Sequence, residues 1–259
     1  AGPALGGMVI ARLGLGYTYL FNAVSYLAVI LALIAMGPVT QARLASRRQL
    51  VSLQGIREGV VFIKSSPVIL STMILDFIAT FFSSANTMMP IIARDILKVG
   101  AQEYGWLVSG QAIGSVGAAV VLSQMQEIRR QGKVFLMSVV LFGLATVAFG
   151  LAKTFLGAML ALIAVGASDS VSTVIRNTIR QLQTPDHIRG RMTSINQIFF
   201  QGGPQLGELE AGIVAQFFGA PAAIVSGGLA CIAGIYFVVR KWPLLKAYDG
   251  HQPSGAPAE

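Results

Sequence analysis

Residues 203–240 read GPQLGELEAGIVAQFFGAPAAIVSGGLACIAGIYFVVR, and residues 2–37 read GPALGGMVIARLGLGYTYLFNAVSYLAVILALIAMG. Both open on Gly-Pro-x-Leu-Gly: Gly2, Pro3, Leu5 and Gly6 match Gly203, Pro204, Leu206 and Gly207, with Gly7 following the first copy. Each then passes a glycine, Gly14 or Gly219, and enters a long apolar run. A helix pair repeated at this distance predicts two homologous halves of six helices. If 203–240 are helices eleven and twelve, 1–37 are helices five and six. The chain then carries about eight of twelve transmembrane helices, with helices one to four upstream.

Composition excludes a soluble domain. Of 259 residues, 54% are hydrophobic and 12% charged, about half the charged share usual in globular proteins. Mean hydropathy is +0.68. The 29 glycines fall mostly inside apolar runs, unlike those of a disordered linker. One cysteine, Cys231, excludes a disulfide framework, and two histidines, His187 and His251, leave little for a metal site. No metal and no cofactor are expected. Crossing the hydrocarbon takes roughly 20 apolar residues. The charge-poor runs place complete helices near 17–37, 67–90, 103–124, 134–152, 155–178, 193–217 and 221–240, with a shortened one at 1–12. The fold class is an all-α integral membrane protein.

The net charge of +8 follows topology rather than nucleic-acid binding. The loops at 38–66, 125–133 and 176–191, with the tail from 240, hold all Lys and Arg except Arg12, Arg94, Lys98 and Lys153. That asymmetry predicts that these loops and the C-terminus are cytoplasmic. Tyr17, Tyr19, Tyr104 and Trp106 then sit at the outer interface and Trp242 at the inner one. Residue 1 is Ala, and the chain opens inside an apolar helix without a signal peptide's charged region; the expectation is a fragment of a longer protein. In the central loop, Ser52 is suited to cap a helix whose Leu53, Ile56, Val60 and Ile63 form an apolar stripe, expected to lie on the membrane surface. Gly110, Gly114 and Gly117 predict close packing of helix eight.

The chain resembles the major facilitator superfamily, and more closely the bacterial branch of transmembrane secretion effectors that includes enterobactin exporters. The resemblance is carried by Gly2-Pro3-Ala4-Leu5-Gly6-Gly7, Leu75-Asp76-Phe77 and Asp95-Ile96-Leu97-Lys98-Val99-Gly100. It continues in Gly166-Ala167-Ser168-Asp169, Val174-Ile175-Arg176 and Thr184-Pro185-Asp186-His187-Ile188-Arg189-Gly190-Arg191. Gln205-Leu206-Gly207-Glu208-Leu209-Glu210-Ala211-Gly212 and Trp242-Pro243-Leu244-Leu245 complete it. It implies a partial major facilitator fold. Residues 1–37 would end the first half, 38–66 form the central cytoplasmic loop, 67–240 the second half and 241–259 a cytoplasmic tail. The loop containing Arg129 and Arg130 is a degenerate form of the superfamily's basic gating loop.

Charges inside a membrane point to function. Asp76 lies about nine residues into helix seven, roughly 13 Å along it, on a stripe with Thr72, Thr80, Ser83 and Thr87. That stripe faces either a cavity or a partner helix. Asp169, Thr173, Arg176 and Arg180 share one face of helix ten by their spacing. Arg176 is either a pathway residue or an interfacial anchor reaching for water. The superfamily lines its pathway with helices one, four, seven and ten, so the resemblance sets Asp76 and Asp169 beside it. On helix eleven, Ser194, Gln197, Gln201, Gln205 and Glu208 form a polar stripe, while Glu210 shares its face with Gly203 and Gly207. A carboxyl group held out of water is suited to proton exchange, with Glu208 the first choice for coupling and Asp76 the second. Gate candidates are Arg129, Arg130, Arg189 and Arg191. The small residues Gly2, Pro3, Gly6, Gly7, Gly203, Pro204 and Gly207 are expected to seat the two repeated helices against the opposite half.

These readings converge on a secondary exporter of a bacterial inner membrane, not an enzyme, since no catalytic constellation and no ATP-binding motif stand in the sequence. Its partners would be the lipid bilayer, protons and a small amphiphilic substrate such as a siderophore or drug, with no nucleic acid. An importer or uniporter on the same scaffold, or a non-transporting fragment, is the alternative.

Overall fold

The computed structural model describes residues 2–36, 53–82, 85–125 and 128–250. Eleven α-helices follow one another among them: α1 Gly2–Leu13, α2 Leu15–Met36, α3 Leu53–Ser65, α4 Pro67–Phe82, α5 Ala85–Ile91, α6 Ala101–Ser123, α7 Gln131–Leu151, α8 Phe155–Gln183, α9 Asp186–Phe218, α10 Ala220–Lys241 and α11 Pro243–Ala247. A π-helical turn, Ile92–Ile96, continues α5, so the span expected to stop near residue 90 runs on to Ile96. No strand occurs among the described residues. Among the described residues, six stretches are long and apolar enough to cross a membrane: 15–36, 67–96, 101–123, 131–151, 155–183 and 220–241. The 33-residue α9 is about 50 Å long, but its charges and glutamines keep it below that standard of apolarity.

The loop expected at 176–191 is instead almost entirely helix. α8 runs on to Gln183, only Thr184 and Pro185 separate it from α9, and Pro185 is the N-cap. Proline cannot continue a preceding helix but starts a new one without loss. Asp186 then places a carboxylate where the helix dipole favours it.

The bundle is built on close backbone crossings. A Cβ at Gly114 of α6 would overlap the Ile163 carbonyl of α8, and one at Gly166 of α8 would overlap that of Gln111. Ser115 Oγ donates to the Gly166 carbonyl at 3.0 Å. Gly110 lies against Met159, but Gly117 has open space around it and takes no part in the crossing. α7 lies against both α8 and α10, and α4 lies against α9 and α10. Two apolar clusters fill the interior. One joins Leu75, Phe135, Val139, Ile175, Ile179, Cys231, Val238 and Leu245; the other joins Met89, Ile92, Leu107, Phe149, Leu162 and Ile224.

α1 rests on α6, with Gly7 so close that a Cβ there would lie 2.7 Å from the Ala101 carbonyl oxygen. α2 buries no residue. α3, expected on the membrane surface, packs on α9 and α4. Gly59 meets Ile195 of α9, and Ile63 is buried with Met192, Ile195, Ile69 and Met73. Of its apolar stripe, Ile63 is covered by α9 and α4, whereas Val60 stays exposed; the side chains of Leu53 and Ile56 lie outside the described residues. Ser52 lies outside the described residues.

Candidate functional site

Asp76 projects from the middle of α4 toward α8, whose Arg176 and Arg180 stand one turn apart on the facing side. Arg176 Nη1 is 2.5 Å from Asp76 Oδ1, and Arg180 Nη2 is 3.2 Å from Oδ2. All three residues are buried, with 5% of Asp76 and 4% of each arginine exposed. The fourfold spacing of the arginines makes this geometry, because residues i and i+4 sit above one another on a helix. One carboxylate thereby serves two guanidinium groups. Arg180 Nε has no hydrogen-bond partner.

This arrangement decides between the two readings of the Asp76 stripe: the carboxylate meets a partner helix. Its neighbours do otherwise. Thr72 Oγ1 donates to the Ile69 carbonyl at 2.8 Å and Thr80 Oγ1 to that of Asp76 at 2.9 Å, so both hydroxyls are satisfied within their own helix. Ser83 lies outside the described residues, and Thr87 is exposed. Arg176 is no interfacial anchor, since its guanidinium is held inside the bundle rather than reaching for water. The spacing of four from Arg176 placed Arg180 on the same face in the sequence, but gave it no role; the structure makes it the second partner of Asp76.

The single face expected for Asp169, Thr173, Arg176 and Arg180 is divided. Arg176 and Arg180 are covered by α4, whereas Asp169, nearer the other end of α8, is exposed. On α9 the polar stripe Ser194, Gln197, Gln201, Gln205 and Glu208 is exposed throughout, and Glu210 is half-buried. Gly203 and Gly207 face the opposite way, onto α4. A Cβ at Gly203 would lie 2.6 Å from Thr80 Oγ1, and one at Gly207 would overlap the Phe81 carbonyl. These two glycines, expected to meet the opposite half, seat α9 on α4. In the first copy of the repeat it is Gly7 that is packed, while Gly6 has nothing within 4 Å.

The gate candidates share one end of the bundle without converging. Arg129 and Arg130 are exposed in the turn before α7, Arg130 with a left-handed φ of 57°. Arg189 and Arg191 lie on the first turns of α9 rather than in a loop. Arg189 pairs with Asp186 at 2.7 Å, and Arg191 pairs with Glu58 of α3.

Comparison with known proteins extends this picture. The sequence model of the transmembrane secretion effector family, a major facilitator group, matches residues 1–255. Enterobactin exporter EntS of Citrobacter koseri is 26% identical over 260 residues, which cover 98% of this chain and 61% of that protein. The exporter of the same name from Salmonella typhimurium is 24% identical over 238 residues, covering 92% of this chain and 56% of the relative. That of Shigella boydii serotype 18 is 26% identical over 196 residues, 74% of this chain and 45% of the relative. The chain thus spans about half the length of the curated relatives it matches. With a family match over nearly every residue and an all-helical bundle of membrane-length spans, the chain belongs to the transmembrane secretion effector family of major facilitator transporters.

Proposed function

We propose that the full-length protein is a proton-driven exporter of a small amphiphilic molecule, a siderophore or drug, across a bacterial inner membrane. Residues 1–37 would be helices five and six, ending one six-helix half; 67–240 would be the other half. The segment 38–66 would join them on the cytoplasmic side, where the C-terminus also lies. Helices one to four would complete the first half and rock against the second. The observation that carries the coupling is the distribution of ionisable groups. Asp76, Arg176 and Arg180 form a buried cluster, while the side chains of Asp169 on α8 and Glu208 on α9 are exposed. A coupling carboxylate must be free to change protonation, which favours Glu208 and Asp169 over Asp76, held between two arginines. Relatives named enterobactin exporters support the direction and the kind of cargo.

The test is uphill transport by the full-length protein in everted vesicles with an imposed pH gradient. Glu208→Gln keeps the side chain's shape but cannot ionise. Uphill export is expected to be lost and downhill exchange retained. Uphill export by Glu208→Gln and Asp169→Asn alike would overturn the coupling, and accumulation in the reverse direction would overturn export.

A further inference from the structure

We propose that residues 243–250, part of the expected cytoplasmic tail, are a clasp that seals the Asp76–Arg176–Arg180 cluster from water at the end where α4 and α7 begin. α10 stops at Lys241, and Pro243 at the start of α11 turns the chain back under the bundle. Leu245 is completely buried and Tyr248 is 6% exposed, both in the apolar cluster with Val68, Phe135, Ile175 and Ile179. Ile175 and Ile179, each next to an arginine of the cluster in sequence, belong to the same apolar cluster as Leu245 and Tyr248, so the clasp packs into the core of which α8 is part. The backbone fits as closely as the side chains. The Gly132 N–H of α7 donates to the Tyr248 carbonyl at 2.9 Å, and a Cβ at Gly132 would overlap the Leu245 carbonyl. Gly250, at φ +95°, closes against the Gln131 side chain. The clasp therefore also grips the turn bearing Arg129 and Arg130, which immediately precedes Gln131.

The consequence is electrostatic. An ion pair that is strong in a dry interior weakens as water raises the local dielectric. A closed clasp keeps the charges that tie α4 to α8 dry; an open clasp hydrates them and slackens the tie. The inference concerns water access and does not need the transport reading.

The test uses the full-length protein in broken membranes, with Cys231 replaced by Ser and one cysteine introduced as a probe. Ile179→Cys reports the apolar cluster that holds the clasp, and Ala161→Cys, buried in the other cluster, reports the opposite end. Labelling by a water-soluble maleimide is followed in chains ending at Glu259, Gly250 or Trp242, and in Leu245→Asp. Ending the chain at Trp242, or Leu245→Asp, is expected to speed labelling at Ile179→Cys by about tenfold or more, the scale set by exposing one buried leucine. The chain ending at Gly250 should match the intact protein, and Ala161→Cys should stay slow in every background. Unchanged labelling at Ile179→Cys after removal of 243–259 would overturn the seal. So would equal acceleration at Ala161→Cys, which would mark the segment as a general support of the fold.

Discussion

Asp76 is shared by two arginines of one neighbouring helix, and removing any member of that cluster has unequal consequences. Asp76→Asn leaves two buried guanidinium groups without a counter-charge, a loss of about 3–5 kcal/mol for breaking a buried pair from one side. Replacing the whole cluster, Asp76→Leu with Arg176→Met and Arg180→Met, removes the burial cost together with the attraction and should recover most of that stability. Thermal unfolding of the purified full-length protein measures both; equal destabilisation by the single and triple replacements would refute the account. The sequence made Asp76 and Arg176 visible because a charge in an apolar helix stands out. Their pairing was not visible, because the contact joins residues 100 positions apart in sequence, and helix periodicity fixes a face but not its neighbour. Asp169 shows the same limit: it shares a face with Arg176 by arithmetic, yet α4 covers one end of that face and not the other.

Among the elements, the runs without charge located the spans well, since a membrane helix needs only length and apolarity. Boundaries fared worse where charge occurs inside helix. Residues 176–191 were expected to form a basic loop, but Arg176 and Arg180 lie in α8 and pair with Asp76, Arg189 and Arg191 lie in α9 and pair with Asp186 and Glu58, and only Thr184 and Pro185 interrupt the helix. The glycines of α9 were legible as a packing motif, though their partner was not. Because Gly207 lies against the Phe81 backbone, Gly207→Leu forces α9 off α4 within one bundle. Overpacking of this kind costs about 1–3 kcal/mol or more. Thermal stability and the yield of inserted full-length protein should fall together with transport; normal yield and stability with transport alone lost would mean that Gly207 acts elsewhere.

At the scale of the molecule, the repeat makes a prediction about what lies beyond these residues. Gly6 corresponds to Gly207, and in the second copy that position receives the backbone of α4, the first long helix of its bundle. If the first half is built alike, helix one takes the corresponding seat on Gly6, which is open in the described residues. Gly6→Leu should then lower the thermal stability of the full-length protein about as much as Gly207→Leu, and leave residues 1–259 expressed alone unchanged. A neutral outcome in the full-length protein would break the proposed equivalence of the halves. A different property follows from Cys231, the single thiol of the chain, which has no exposed surface and sits where α4, α7, α8 and α10 meet. It is a stopwatch already installed. Alkylation can proceed only when those helices part, so the rate at which the thiol is consumed counts openings of the bundle. If no other cysteine precedes residue 1 in the full-length protein, this needs neither an added label nor an engineered substitution.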